Sequence, residues 1–304
     1  MLMPRIEPES LRAGLAALGL RVESVESCPL RENAAAKMVI NTWLGRDWLK
    51  KRFTSHEFIN RRPIGLPTDP FMRQARITQI AELMLNLQHV QGVEHVVTRL
   101  AKGQRLADDA AELEGAGRLQ AAGIPIKFVE RTGVKGADYD VEAMIAGQRV
   151  CCEMKGKVAD PSVRTVVDTL RGAEKQVPVD TPNVLFLKPP DEWMLTKDGF
   201  DAMEEGIAEF FRKSDRYAYV VIHAEEWRTW QREGATGTGA IVTRRTLLRR
   251  HPSPAVPFPV SSEKWLDGKK GGWLNIQDVV CGPAFRTTKE QLHAALVAAN
   301  RAGR

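Results

Sequence analysis

The stretch "GADYDVEAMIAGQRVCCEMKGK" (residues 136–157) places three acids before a short Ala-Gly pair and a Glu-Met-Lys triplet after two cysteines. Because the side chains of a β-strand alternate between its two faces, Cys151, Glu153 and Lys155 are predicted to share one face. The residues between them would point to the opposite face. The stretch therefore predicts a β-hairpin with one charged face and one apolar face.

The hairpin register decides which charges meet. If the Ala-Gly pair forms a two-residue turn, Asp140 lies opposite Glu153 and Asp138 lies opposite Lys155. Like charges directly opposite each other destabilise a sheet by about 0.2 to 1 kcal/mol, so the two carboxylates are expected to need a compensating cation or a shared proton. A hard divalent metal ion with oxygen ligands would be such a cation. The alternative, purely structural role of Lys155 is a cross-strand salt bridge to Asp138.

An Asp, a turn and then Glu-x-Lys resembles the motif of the PD-(D/E)xK superfamily, the restriction-endonuclease-like and Holliday-junction-resolvase-like nucleases. Asp140, Glu153 and Lys155 occupy the motif positions. The proline of the motif is replaced by residues 137–139, which leaves the choice between Asp138 and Asp140 open.

The resemblance also implies a set of site residues and one or two Mg²⁺ (or Mn²⁺) ions. Family members commonly carry a glutamate on the first helix of the core, where this chain has Glu112. In many members the helix that follows the Glu-x-Lys strand brings a Gln or Lys to the metal site, where this chain has Lys175 and Gln176. Lys155 would position the attacking water or help to deprotonate it. The implied catalytic residues are Asp140, Glu153, Lys155, Glu112 and Gln176, and the implied metal ligands are Asp140, Glu153, Glu112 and the backbone carbonyl of Cys151 or Cys152.

Hydrophobic periodicity predicts the elements around the hairpin. Their order is helix, strand, strand, strand, helix, strand, helix, strand, which indicates an α/β fold with helices covering a mixed β-sheet. This order matches a restriction-endonuclease-like core. The predicted regions are a helical N-terminal region (1–103), the nuclease-like core (104–224) and an α+β C-terminal extension with a basic strand, a loop and a final helix (225–304).

The charge of the chain suits a polyanionic partner. The formal net charge is +6, yet residues 101–200 hold 14 Lys and Arg against 16 Asp and Glu, so the basic excess lies in the flanks. Basic flanks around an acidic metal pocket are what cleavage of a phosphodiester requires. The predicted nucleic-acid contacts are Arg244, Arg245, Arg249 and Arg250.

These patterns predict a Mg²⁺-dependent, endonuclease-like phosphodiesterase acting on nucleic acid, with DNA as the expected substrate. One alternative is a catalytically silent restriction-endonuclease-like module that binds nucleic acid or assembles with partners. Another is a metal-dependent enzyme with a different substrate, since function depends on the site and not on the fold. A homodimer is left open.

The remaining sequence adds three expectations. The four cysteines form no C-x-x-C pair, so neither a zinc site nor a disulfide framework is expected, and Cys152 is predicted to be a core residue. Neither a signal peptide nor a membrane-spanning run is seen, which predicts a cytoplasmic protein. Trp43 and Trp48, interleaved with basic residues, are predicted to pack into a helical core, with a nucleic-acid platform as the alternative.

Overall fold

The structure is a computed structural model. It describes residues 4–21, 28–52, 70–103, 105–157, 160–190, 192–231, 238–267 and 273–282. The helices are α1 (Pro8–Ala17), α2 (Cys28–Leu44), α3 (Trp48–Arg52), α4 (Pro70–Leu87), α5 (Val93–Lys102), α6 (Leu106–Ala121), α7 (Val163–Glu174), α8 (Glu192–Leu195), α9 (Lys197–Phe211) and α10 (Ile276–Cys281). The strands are β1 (Ile126–Phe128), β2 (Val141–Ile145), β3 (Gln148–Gly156), β4 (Asn183–Lys188), β5 (Tyr219–Gln231) and β6 (Thr238–Arg250).

The six strands form one mixed sheet in the order β1-β2-β3-β4-β5-β6. Strands β3, β4 and β5 run parallel to one another, while β1, β2 and β6 join by antiparallel pairing. The parallel pairs need crossover connections, which the helices α7, α8 and α9 supply. The predicted α/β class with a mixed sheet flanked by helices is therefore confirmed, and the restriction-endonuclease-like core stays a prediction.

Two hydrophobic clusters cover the two faces of the sheet. Cys152 and Met154 belong to the cluster that contains α2, α4 and α6, whereas Cys151 belongs to the cluster beneath α7 and α9. Successive residues of β3 thus pack on opposite faces, as their period of two predicts. The prediction that Cys152 is a core residue is confirmed, because it is fully buried.

The N-terminal helices share their core with the sheet. Ile77 of α4 lies in the same cluster as Leu113 of α6 and Met154 of β3, across the predicted boundary at residue 103. Trp48 is 4% exposed and its indole N–H donates to the carbonyl of Leu100 at 2.8 Å, so the core interpretation of this tryptophan is confirmed. At the other boundary, β5 continues through residue 224 and pairs along its whole length with β6.

Some predicted features lie outside the described residues. The final helix of the C-terminal extension, over residues 287–303, is one of them. Among the described helices, none is both long and apolar enough to cross a membrane.

A half-buried carboxyl on α2 makes stability depend on pH. Burial, and then the charge of Glu82, raise the pKa of Glu32 to about 7. The folded state therefore holds this proton more tightly than the unfolded chain, so stability falls as pH rises from about 4.5 to about 7. We expect Glu32→Gln to increase the free energy of unfolding by about 1 to 3 kcal/mol at pH 8 and to leave it nearly unchanged at pH 4.

Urea unfolding of both proteins at the two pH values measures this difference. Glu205→Gln is the matched control, since Glu205 is an exposed glutamate on α9. A gain for Glu32→Gln of the same size at pH 4 and pH 8 would contradict the prediction.

Candidate functional site

The turn of the β2–β3 hairpin has the predicted length. Ala146 and Gly147 have φ values of 49° and 78°, the left-handed conformations of the two central residues of a type I′ turn. Val141 pairs with Cys152, which is the register that the two-residue turn predicts. This register brings Asp140, the residue before β2, next to Glu153.

Asp140 binds both the backbone of β3 and a cation. Its Oδ2 accepts a hydrogen bond from the backbone N–H of Met154 at 2.8 Å, and its Oδ1 accepts one from Nη2 of Arg131 at 2.7 Å. The side chain is 1% exposed. Because β2 begins only at the next residue, the carboxylate takes the place of a further strand partner for Met154. The hairpin therefore fixes the position of Asp140.

The backbone of β3 corrects one expectation about metal ligands. The N–H of Cys151 donates to the carbonyl of Pro182 at 3.0 Å, on the β4 side of the strand. The N–H and C=O of a strand residue point to the same neighbour, so the Cys151 carbonyl faces away from Asp140. The Cys152 carbonyl faces Asp140 and accepts its N–H at 3.2 Å. By the same alternation, the backbone carbonyl of Met154, which was not predicted as a ligand, also faces Asp140.

Glu153 and Lys155 form an ion pair on the face covered by α7. Lys155 Nζ contacts Glu153 Oε1 and donates to Gln176 Oε1 at 2.7 Å. Glu153 is fully buried, and its Oε2 has no hydrogen-bond partner among the described residues. The structure thus brings Gln176 to the site, where it contacts the lysine.

Glu112 reaches the same region from α6 through shared arginines. Its Oε2 contacts Nη2 of Arg99 and accepts from Nη2 of Arg131 at 3.3 Å. The same Arg131 nitrogen binds Asp140, so one guanidinium bridges the two carboxylates. Arg99 also binds Asp109 at 3.0 Å. Glu112 is therefore linked to Asp140 by a cation within the chain.

Burial and like charge both act on the acids of this cluster. Burial, and then the charge of Asp140, raise the pKa of Glu112 to about 8, against the opposing effect of Arg99 and Arg131. The same two causes raise the pKa of Glu153 well above its ordinary value, against the effect of Lys155. Glu112 therefore favours the protonated form at neutral pH, Glu153 holds a proton more tightly than an ordinary glutamate does, and a cation that binds them competes with protons.

Sequence reasoning predicted a cation or a shared proton at the acidic pair but missed the arginines that supply the charge. Arg131 lies in the loop between β1 and β2, and Arg99 lies near the end of α5. The predicted opposition of Asp138 and Lys155 is wrong, since Asp138 Oδ1 accepts from the N–H and Oγ1 of Thr132 at 2.7 and 3.0 Å. Strand β2 begins only at Val141, so its pairing with β3 does not extend back to Asp138.

The carboxylates of Asp140, Glu153 and Glu112 are the candidate ligands for a divalent metal ion. In the part of the chain that the structure describes, no three His, Cys, Asp or Glu side chains are grouped closely enough to hold a metal together. The available donors nevertheless fit Mg²⁺ chemically, because carboxylate oxygens are its preferred protein ligands. The buried Glu153 Oε2 is an oxygen that such an ion would satisfy.

A second buried cluster forms on the opposite face of the sheet. Glu114, two residues after Glu112, accepts from Lys188 Nζ at 2.7 Å and from Gln79 Nε2 at 3.0 Å, and lies 3.2 Å from His223 Nε2. Burial raises the pKa of Glu114, but Lys188 and His223 lower it to well below its usual range. Of the two glutamates on α6, only Glu112 joins the Asp140 region.

The arginines of β6 do not form one cluster. Arg249 binds Glu204 of α9 through Nε at 2.7 and 2.9 Å and through Nη2 at 2.5 Å. Arg250 is exposed and lies on the other face of the strand from Arg249, since side chains alternate. Arg245 is exposed, and the side chain of Arg244 lies outside the described part. The three predicted nucleic-acid contacts whose side chains are described therefore have different environments.

This difference predicts opposite effects for two neighbouring arginines. Arg249→Ala removes a partly buried ion pair and is expected to lower the free energy of unfolding by about 1 kcal/mol, with little effect on nucleic-acid affinity. Arg250→Ala is expected to leave stability unchanged, to weaken binding and to reduce the slope of log affinity against log salt by about 1. Urea unfolding and a salt titration of duplex binding measure both. Equal losses of affinity in the two variants would contradict the assignment.

A surface cleft of about 510 Å³ lies beside Gln176. Lys175 and Val177, its chain neighbours, line the cleft together with Lys135 and Arg216. Two acids, Glu174 and Asp180, also line it. The cleft therefore combines three cations with two carboxylates next to the residue that holds Lys155.

No protein-family model matches the chain, and neither a curated protein nor a solved structure does.

Proposed function

We propose that this protein is a metal-dependent nuclease of the PD-(D/E)xK type that hydrolyses nucleic-acid phosphodiester bonds, with DNA as the expected substrate. The observation that carries the proposal is the meeting of Asp140, Glu153 and Lys155 at the end of one hairpin. Glu112 is joined to them through Arg131. Metal-dependent phosphodiester hydrolysis uses carboxylates that hold the ion and cationic donors that stabilise the developing charge, and this arrangement offers both kinds of group.

Asp140, Glu153 and Glu112, with the carbonyl of Cys152 or Met154, would hold Mg²⁺ or Mn²⁺. Such an ion would stabilise the negative charge on the oxygens around phosphorus in the transition state and would lower the pKa of a bound water molecule. The raised pKa values of Glu112 and Glu153 mean that these residues give up protons when they bind a cation. Their affinity for the ion is therefore expected to rise with pH.

Lys155 has the geometry of a donor to water or phosphate. An ammonium group carries three N–H donors, of which one binds Gln176 and one contacts Glu153. The third remains for the attacking water or a phosphate oxygen. Gln176 fixes the direction of the lysine and is in this proposal a positioning residue.

Exposure favours an anionic substrate. Asp140 and Glu153 are at most 1% exposed at the side chain, whereas Lys155 is 15% and Arg131 is 25% exposed. A molecule that approaches from solvent thus meets the cations before the acids. The net charge of +6 and the cations of the cleft beside Gln176 add attraction for a polyanion.

A panel of labelled nucleic acids tests this function. Duplex, single-stranded and junction DNA and RNA are incubated with the protein and Mg²⁺, Mn²⁺ or EDTA. Cleavage of at least one form with either metal, and its loss with EDTA, is the expected result. If no form were cleaved with either metal, the proposed nuclease function would be contradicted.

One observation favours a second candidate, a catalytically silent nucleic-acid-binding module. Arg131, Arg99 and Lys155 already neutralise the acids without a metal ion. In that case metal-independent binding without cleavage of any form in the panel is expected.

A further inference from the structure

Arg131 occupies a particular oxygen of Asp140. The Oδ2 of this carboxylate is already bound to the Met154 N–H, so Oδ1 is the oxygen that a metal ion would take. Nη2 of Arg131 donates to that Oδ1 at 2.7 Å. A divalent ion and a guanidinium placed at one carboxylate oxygen repel each other. Binding of an ion at Asp140 therefore competes with Arg131.

The other donors of Arg131 are unused. A guanidinium carries five N–H groups, and the two on Nη2 account for both of its hydrogen bonds, to Asp140 and Glu112. Within the described residues, Nε and Nη1 bind no partner. These three N–H groups form the fork that recognises phosphate oxygens, and the side chain is a quarter exposed.

We propose that Arg131 alternates between two partners. In the metal-free protein it neutralises Asp140, and when a divalent ion takes Oδ1 the guanidinium binds a phosphate of the substrate. This inference rests on the proposed function, and it assigns to Arg131 a role in substrate binding and in control of metal entry. A divalent ion would bring two positive charges in place of the one that Arg131 withdraws; the carboxylates of Asp140 and Glu153 would meet these charges, and the phosphate would neutralise the departing guanidinium.

Arg99 provides the matched control. It contacts the same Glu112 and has the same side-chain exposure of 25%, but it binds Asp109 in place of Asp140. Removal of Arg99 therefore takes one positive charge from the cluster without freeing Oδ1. A general electrostatic effect would act in both variants, and competition at Asp140 would act only for Arg131.

The test measures Mn²⁺ binding to the nucleic-acid-free protein at about pH 8.5, where the carboxyls lose protons more readily. Arg131→Met is expected to bind Mn²⁺ about tenfold more tightly than wild type, the size of one charged hydrogen bond. Arg99→Met, which relieves Glu112 of one cation but leaves Oδ1 of Asp140 occupied, is expected to tighten Mn²⁺ binding clearly less than Arg131→Met does. Arg131→Lys, which keeps the charge but not the fork, should tighten Mn²⁺ binding less and serves if the methionine variant does not fold.

A second measurement separates substrate binding from a structural role. With Ca²⁺ present, Arg131→Met is expected to bind a duplex oligonucleotide about threefold to tenfold more weakly, although its Mn²⁺ affinity rises. A merely structural arginine would lower both affinities. If Asp140→Asn bound Mn²⁺ as tightly as the wild type, the proposed metal site itself would be refuted. Mn²⁺ binding that needs Asp140 but is no tighter without Arg131 would overturn only this inference.

Discussion

Replacing Lys155 with alanine is expected to slow nucleic-acid cleavage by about 10²- to 10⁴-fold while changing nucleic-acid affinity by no more than about twofold. The lysine has one N–H free for water or phosphate after its contacts with Glu153 and Gln176. In the proposed mechanism it acts on the reacting centre, whereas exposed basic residues hold the rest of the polymer. Single-turnover cleavage and equilibrium binding of the same duplex measure the two effects.

Lys157→Ala is the matched control. Lys157 follows β3 directly, and its backbone N–H donates to the carbonyl of Lys188, a bond that the substitution keeps. Its cleavage rate should stay close to that of wild type. If Lys155→Ala lowered binding and cleavage by the same factor, the lysine would be a substrate contact and not part of the catalytic centre.

The proposed metal site predicts that Mg²⁺ or Mn²⁺ raises the thermal stability of the wild-type protein and that Asp140→Asn abolishes this rise. At a metal concentration of about 100 times Kd this stabilisation is about 2.7 kcal/mol, or roughly 5 °C in Tm for a domain of this size. The amide has no charge to offer and fixes one oxygen fewer for the ion. Cleavage should fall by at least about 10²-fold with it.

Asp138→Asn separates the two acids that the sequence left open. Asp138 is bound to Thr132 and lies outside the strand pairing, so its variant should keep the metal-induced rise in Tm. Loss of that rise in Asp138→Asn and its retention in Asp140→Asn would reverse the assignment.

Local patterns were sufficient to predict the hairpin. A two-residue turn fixes the register, and strand alternation fixes the faces, so Asp140 and Glu153 could be paired before the structure was known. Gln176 was expected near the site only from the family resemblance, and the structure places it against Lys155 after the crossover helix α7. These predictions depend on neighbours in sequence or on one crossover.

Long-range partners could not be predicted in this way. Arg131 sits in an irregular loop, where neither period two nor helical spacing gives a direction. Arg249 looks like its neighbours in the sequence, yet it binds Glu204, 45 residues away. The extension of β5 past residue 224 depends on its pairing with β6. Each of these features is set by packing between elements that are distant along the chain.

Side-by-side cleavage by the wild-type protein and Glu153→Gln tests the central claim most directly. Glutamine keeps the shape of the buried side chain but cannot ligate a cation as a carboxylate. We predict that Mg²⁺ supports cleavage by the wild type, that EDTA stops it, and that Glu153→Gln is slower by at least about 10²-fold with its fold intact. Cleavage by Glu153→Gln at the wild-type rate would contradict the account.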